Sequence, residues 1–175
     1  MNNRIFIDTE FADVEANEWV SIGFAPFDAA RECFYVERKV LPVATQFVRE
    51  IVYPLLEGGE AAMPDQMAAD TLRRYLNGFP QPVAIAFDHS VDWRVLIGVI
   101  NHPLAREPMP DFEAVDIGEI GAPYWLALDD LWERDTERRA RRHHALVDAT
   151  VQREAYIAAV AAINARSLEA SSDER

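Results

Sequence analysis

The 175-residue chain has a single cysteine, Cys33. A lone thiol cannot close an internal disulfide, which excludes a disulfide-stapled secreted scaffold and leaves Cys33 as a small strand hydrophobe. No stretch approaches the roughly eighteen consecutive apolar residues that a membrane helix requires. The opening, Met1-Asn2-Asn3-Arg4-Ile5, lacks the apolar core of a signal peptide. These absences together predict a protein of the reducing cytoplasm that engages no membrane. Positive charge is also scarce: 17 Lys and Arg stand against 30 Asp and Glu, a formal net charge of −13. Proteins that coat nucleic acid by bulk electrostatics are usually basic, so that class is excluded. Local binding of a polyanion, with metal ions offsetting carboxylates, is not. There is no internal repeat and no low-complexity linker.

What is present is a periodic hydrophobic half of the chain, 50% of residues. That length and pattern predict one domain, residues 1–166, able to bury roughly two-thirds of its unfolded surface. A polar tail over 167–175 is expected to fray. Arg4 to Glu10 reads as a strand whose consecutive apolar residues predict a central position covered on both faces. Trp19 to Phe27 and Glu32 to Arg38 read as two more strands joined by short turns, an antiparallel meander. Helical spacing follows over Phe47 to Val52 and Pro64 to Leu76. A compact strand, Val83 to Phe87, precedes a helix carrying Trp93, Leu96, Val99 and Ile100. A strand near Phe112 to Ile117, a looser segment, and a long helix from about Ala145 to Ala165 complete the chain. The order predicts an α/β domain: a mixed sheet with a three-strand antiparallel meander on one side, helix-connected parallel strands on the other, and flanking helices.

Asp8 and Glu10 sit two apart at the carboxyl end of the first strand, so both side chains leave one face, their Cα atoms roughly 6.5–7 Å apart. Two carboxylates there repel each other and lose solvation unless a cation lies between them. Taken alone, the pair also fits a strand that ends at Asp8 with both groups in water. Asp92 lies five residues beyond the strand Val83–Phe87, in a first helical turn. The helix dipole favours an acid there, and open α/β sheets place ligands there too. His143 and Asp148 would diverge by about 140° if both lay on one helix. They converge if His143 lies in a loop and Asp148 in the first turns. Asp148 shares a stripe with Val151, Ala155, Ala159 and Ala162, a narrow face that could bring it against the sheet near Asp8. The segment Arg134 to His144 carries five arginines against Asp135 and Glu137, +3 in a chain whose remainder is −16.

Together these residues resemble the DEDDh (DnaQ-like) 3′→5′ exonucleases, of ribonuclease-H-like fold. Asp8-Thr9-Glu10 is similar to the first motif, D-x-E. Asp92 stands where the second motif's aspartate belongs, and His143 to Asp148 matches the third motif, a histidine five before an aspartate. The resemblance spans Ile5 to about Tyr156. Two positions depart from it: Asp88 where an asparagine is common, and His144 where arginine or serine is common, which offers a rival base. The opening IDTEF and WVSIGF resemble more narrowly the compact bacterial exoribonuclease family described from mycobacteria. That implies RNA with single-stranded 3′ ends or overhangs as substrate, and a homodimer.

The resemblance implies that Asp8, Glu10, Asp92 and Asp148 hold two Mg²⁺ or Mn²⁺ ions about 3.5–4 Å apart. His143 would take the proton of the attacking water, with Glu10 beside it in the catalytic set. Thr9, Phe11, Trp93, Arg141 and Arg142 are the expected substrate contacts. Core packing is the alternative for Phe11 and Trp93, and a solvated loop for the arginines. Two other functions remain open: a DNA exonuclease of proofreading type, and a catalytically silent nucleic-acid-binding module.

Overall fold

A run such as Ile5-Phe6-Ile7 has no polar face to turn to water, and the fold buries both of its faces. In the computed structural model, which describes residues 3–13 and 18–173 with side chains through 168, it lies in strand β1, Arg4–Phe11. The strands that follow are β2 (Trp19–Pro26), β3 (Phe34–Arg38), a two-residue β4 (Ala62–Met63), β5 (Val83–Phe87) and β6 (Phe112–Asp116). The helices are α1 (Asp65–Asn77), α2 (Ser90–Ile100), α3 (Ala122–Arg134), a single turn α4 (Thr136–Arg139) and α5 (Ala145–Asp173). The sheet order is β4-β3-β2-β1-β5-β6. The pairs β1–β2 and β2–β3 are antiparallel, and β1–β5, β5–β6 and β3–β4 are parallel. This is a six-stranded mixed sheet flanked by helices, with β1 at its centre.

Alternation along β1 divides the core. Ile5 and Ile7 join the apolar cluster that includes Leu72 of α1 and Leu96 of α2, while Phe6 joins Tyr124 of α3 and Ala155 of α5 on the other face. A smaller cluster of Ala12, Val20, Ala44, Val48 and Val52 docks residues 44–52 against the end of the sheet where β1 finishes. That segment is a π-helical turn (Val48–Val52) running into a 3₁₀ turn (Tyr53–Leu55), where the sequence predicted a short helix stopped by Pro54.

Beyond that turn, and beyond the short β4 and α4 that were not expected, two longer elements differ from the expectation. The expected looser segment after β6 is helix α3, which packs along α5. Tyr124, Leu128, Leu131 and Trp132 carry its apolar stripe at helical spacing. The last helix does not end near Ala165: it continues to Asp173, through most of the expected tail, and residues 174–175 lie outside the described residues. Val151, Ala155 and Ala159 are buried as the stripe predicts, but Ala162 and everything from 161 to 168 is exposed. The helix therefore leaves the domain surface after Ala159. Among the described residues, no helix is long and apolar enough to cross a membrane; residues 1–2 lie outside them.

Candidate metal centre

The carboxyl end of β1 is where helices from both faces of the sheet meet. Ile7 ends the apolar run of the strand, and a register shift between Glu10 and Phe11 breaks its regular pairing with β2. Such bulges re-aim side chains at strand ends. Helix α2 brings Asp92 from one face. Helix α5 brings Asp148 from the other, because its first turn rests directly on β2. Gly23, paired with Asp8 across the two strands, permits that contact, since a Cβ at position 23 would overlap the backbone of Ala145 and Leu146. The result is a cleft of about 530 Å³ lined by Asp8, Glu10, Asp92, Asp148 and His143, with Asp88 and Gln152 beside them.

The carboxylates are tethered in a consistent way. Oδ1 of Asp92 accepts from the Thr9 backbone N–H at 3.0 Å and from the Thr9 hydroxyl at 2.7 Å. Oδ2 of Asp148 accepts from the His143 backbone N–H at 3.0 Å. Oδ1 of Asp8 accepts from the Gln152 amide at 3.0 Å. In each case one oxygen is held by an uncharged donor. The other oxygen of Asp148 is buried with no partner among the described residues. An ionised oxygen in that position is costly unless something positive comes to it.

Electrostatics confirm the conflict. Burial pushes Asp8 well above the usual carboxylate range, and repulsion from Asp92, Asp148, Glu10 and Asp88 adds to it. Glu10 is pushed up by burial, then by Asp148 and Asp92. Asp92 and Asp148 are each pushed up to about 7, chiefly by burial and against the opposing pull of their tethering hydrogen bonds. Clustered acids with raised affinity for protons also have raised affinity for cations. One oxygen each of Glu10 and Asp148 and a ring nitrogen of His143 lie within 4.8 Å of one another, close enough to share an ion.

His143 occupies the loop position that convergence with Asp148 required. Its φ of 75° is left-handed, a conformation that costs a non-glycine residue about 1–2 kcal/mol. Its N–H bond to Asp148 helps hold that turn, so candidate base and candidate ligand move as one unit. Nδ1 lies 3.8 Å from Glu10 Oε1, and the Phe47 ring meets the imidazole edge-on at 5.0 Å. Burial and the nearby Arg142 lower the pKa of His143, which keeps the ring neutral and able to accept a proton at pH 7. His144, the rival base, faces elsewhere: it is buried, stacked on Tyr35 at 4.4 Å, with Nε2 3.1 Å from Glu57.

The expected substrate contacts divide. Phe11 and Arg142 line the cleft, the guanidinium of Arg142 lying 5.7 Å from the centre of the Trp132 ring. Thr9 also borders it, but its hydroxyl is engaged by Asp92. Trp93 is turned away: one residue past Asp92, it rotates about 100° around α2 and packs, half-buried, between Phe87 and Phe112 against the core. Arg141 faces Glu57 at 3.6 Å, outside the cleft. The sequence reading missed Phe47, Trp125, Trp132 and Gln152 as cleft residues. The two tryptophans went unread with α3, whereas Gln152, four residues beyond Asp148, could have been found from helical periodicity. No protein-family model matches this chain, and no curated protein matches it.

Proposed function

We propose that the chain is a divalent-metal-dependent 3′→5′ exoribonuclease that releases nucleoside 5′-monophosphates from single-stranded RNA ends or overhangs. The observation that carries this reading is the meeting of Asp8, Glu10, Asp92 and Asp148, from three separate elements, with a neutral histidine in one cleft. A mixed sheet of this order is compatible with the ribonuclease-H-like architecture.

The donor set fits hard cations. It is rich in carboxylate oxygens, it has no thiolate, and the buried Asp148 Oδ1 lacks a partner. Asp8, Glu10, Asp92 and Asp148 would hold Mg²⁺ or Mn²⁺. When bound, such ions supply Lewis acidity to the attacking water, the phosphate and the leaving 3′ oxygen. The protein's own residues do the rest. His143 accepts the water's proton at a ring nitrogen, and Glu10, 3.8 Å away, stabilises the imidazolium that results. Arg142 meets a phosphate at the cleft rim, while Phe11 and Phe47 offer faces for terminal bases, each stack contributing roughly 1–3 kcal/mol.

Incubation of 5′-labelled RNA with Mn²⁺, with and without EDTA, tests the reading. A ladder shortening from the 3′ end, abolished by EDTA, is expected, and early release of labelled mononucleotide would reverse the polarity. A DNA oligonucleotide digested alongside separates the proofreading alternative. Binding without cleavage under either metal identifies the silent module. The homodimer implied by the same resemblance is checked by light scattering, and the cytoplasmic location expected from composition by fractionation.

A further inference from the structure

Beside the four acids proposed to hold metal, the cleft contains Asp88, whose surroundings differ from theirs. Asp88 is 9% exposed, and both of its oxygens have donors: the Tyr124 hydroxyl reaches Oδ2 at 3.0 Å and the Gln152 amide reaches Oδ1 at 3.2 Å. The same amide nitrogen donates to Asp8 at 3.0 Å. Gln152 is 4% exposed, and its own Oε1 is buried without a partner. The chain of bonds therefore runs from Tyr124 to Asp88, from Gln152 to Asp88, and from Gln152 to Asp8.

We propose that Gln152 is a positioning residue for Asp8, and that Asp88, backed by Tyr124, serves to hold Gln152 rather than to bind an ion. The inference rests on reading the cleft as a divalent-cation site. Left to itself, Asp8 would turn away from Asp92, Asp148 and Glu10, which all repel it. A lysine or arginine at 152 would restrain it but would also act as the counter-ion, competing with the metal. A neutral amide restrains one oxygen and leaves the site's negative charge intact. Gln152 thus does for Asp8 what Thr9 does for Asp92 and the His143 N–H does for Asp148. Asp88 supplies the second anchor that stops the long glutamine side chain from swinging out.

Calorimetric titration of Mn²⁺ into the EDTA-treated full chain tests this without reference to turnover. Gln152→Leu is expected to weaken Mn²⁺ binding by about 10–100-fold, the usual loss on removing a group that orients a ligand, with the metal-free melting temperature little changed. Asp88→Asn should bind as the wild type does, because the remaining side-chain carbonyl still accepts from the Gln152 amide, the new amide nitrogen can donate to the Tyr124 oxygen, and the bond to Asp8 is preserved. Asp88→Ala should bind more weakly than Asp88→Asn. Wild-type affinity in Gln152→Leu overturns the proposal. Should that variant not fold, wild-type affinity in Asp88→Ala overturns it instead. A wild-type chain that takes up no Mn²⁺ overturns the cation reading itself, a distinct result.

Discussion

Glu10 and Glu37 lie in one row across the sheet, on either side of Ser21, and they meet opposite fates. Glu37 is 2% exposed, and its carboxylate accepts from the backbone N–H groups of Glu57 and Gly58, with Gly58 and Gly59 at positive φ making the turn that aims them. Glu10 receives no hydrogen bond from the described residues and faces two aspartates and a histidine at the open end of the sheet. Burial alone therefore does not mark a functional acid. What distinguishes the cleft is that the protein supplies orientation but withholds neutralisation.

The sharpest way to break that contrast is to swap a charge for an amide on each side. Asp8→Asn should lower hydrolysis by at least about 10³-fold, the several kcal/mol that bound metals contribute to the transition state. The metal-free protein should melt higher, because one repelling charge is gone. Glu37→Gln should do the reverse: nuclease activity persists, while stability falls by about 1–3 kcal/mol through weakened charged hydrogen bonds. Urea denaturation beside a nuclease assay reads both. If Asp8→Asn cuts normally, the metal assignment fails.

His143→Ala is expected to cost about 10²–10⁴-fold in rate, as for loss of a general base. His144→Ala should act mainly on stability through the lost contact with Glu57. Equal Mn²⁺ affinity in His143→Ala and wild type supports a base; a marked loss would make the imidazole a ligand with Glu10 and Asp148.

A smaller effect separates the regions by pH. Burial pushes Asp92 and Asp148 up to about 7, against about 3.9 when unfolded. Between those values the folded state holds more protons, so stability falls as pH rises. Melting temperature in EDTA should drop from pH 5 to pH 8, and Mn²⁺ should restore it at pH 8 far more than at pH 5. A flat profile would mean the cluster is not strained. Smallest of all, Arg142→Ala should raise KM severalfold with little change in kcat, as expected of a rim phosphate contact.

Much of this geometry was legible beforehand. The apolar run of β1, the two-residue spacing of Asp8 and Glu10, and the break between His143 and the helix carrying Asp148 are local signals with local causes. The misreadings have one physical origin, tertiary context. Helix α3 begins at Ala122, between Gly121 and Pro123, in what was expected to be a looser segment, and its stripe acquires meaning only against α5. Trp93 adjoins Asp92 in sequence, yet one step around a helix turns it from the cleft to pack, half-buried, against the core. Gln152 carries no charge, and nothing in its identity announces that it faces Asp8.

The absence of a side chain at position 23 bears on the spacing of the proposed cation site. Because backbone meets backbone there, the gap between the acid on the helix and the acids on the strand is fixed by van der Waals radii rather than by flexible side chains. A methyl group in that place would wedge the two apart by an ångström or more. In the proposed cation site the wider gap should favour larger ions over smaller ones, which makes Gly23→Ala, titrated with Mg²⁺ and with Ca²⁺, a probe of ionic radius.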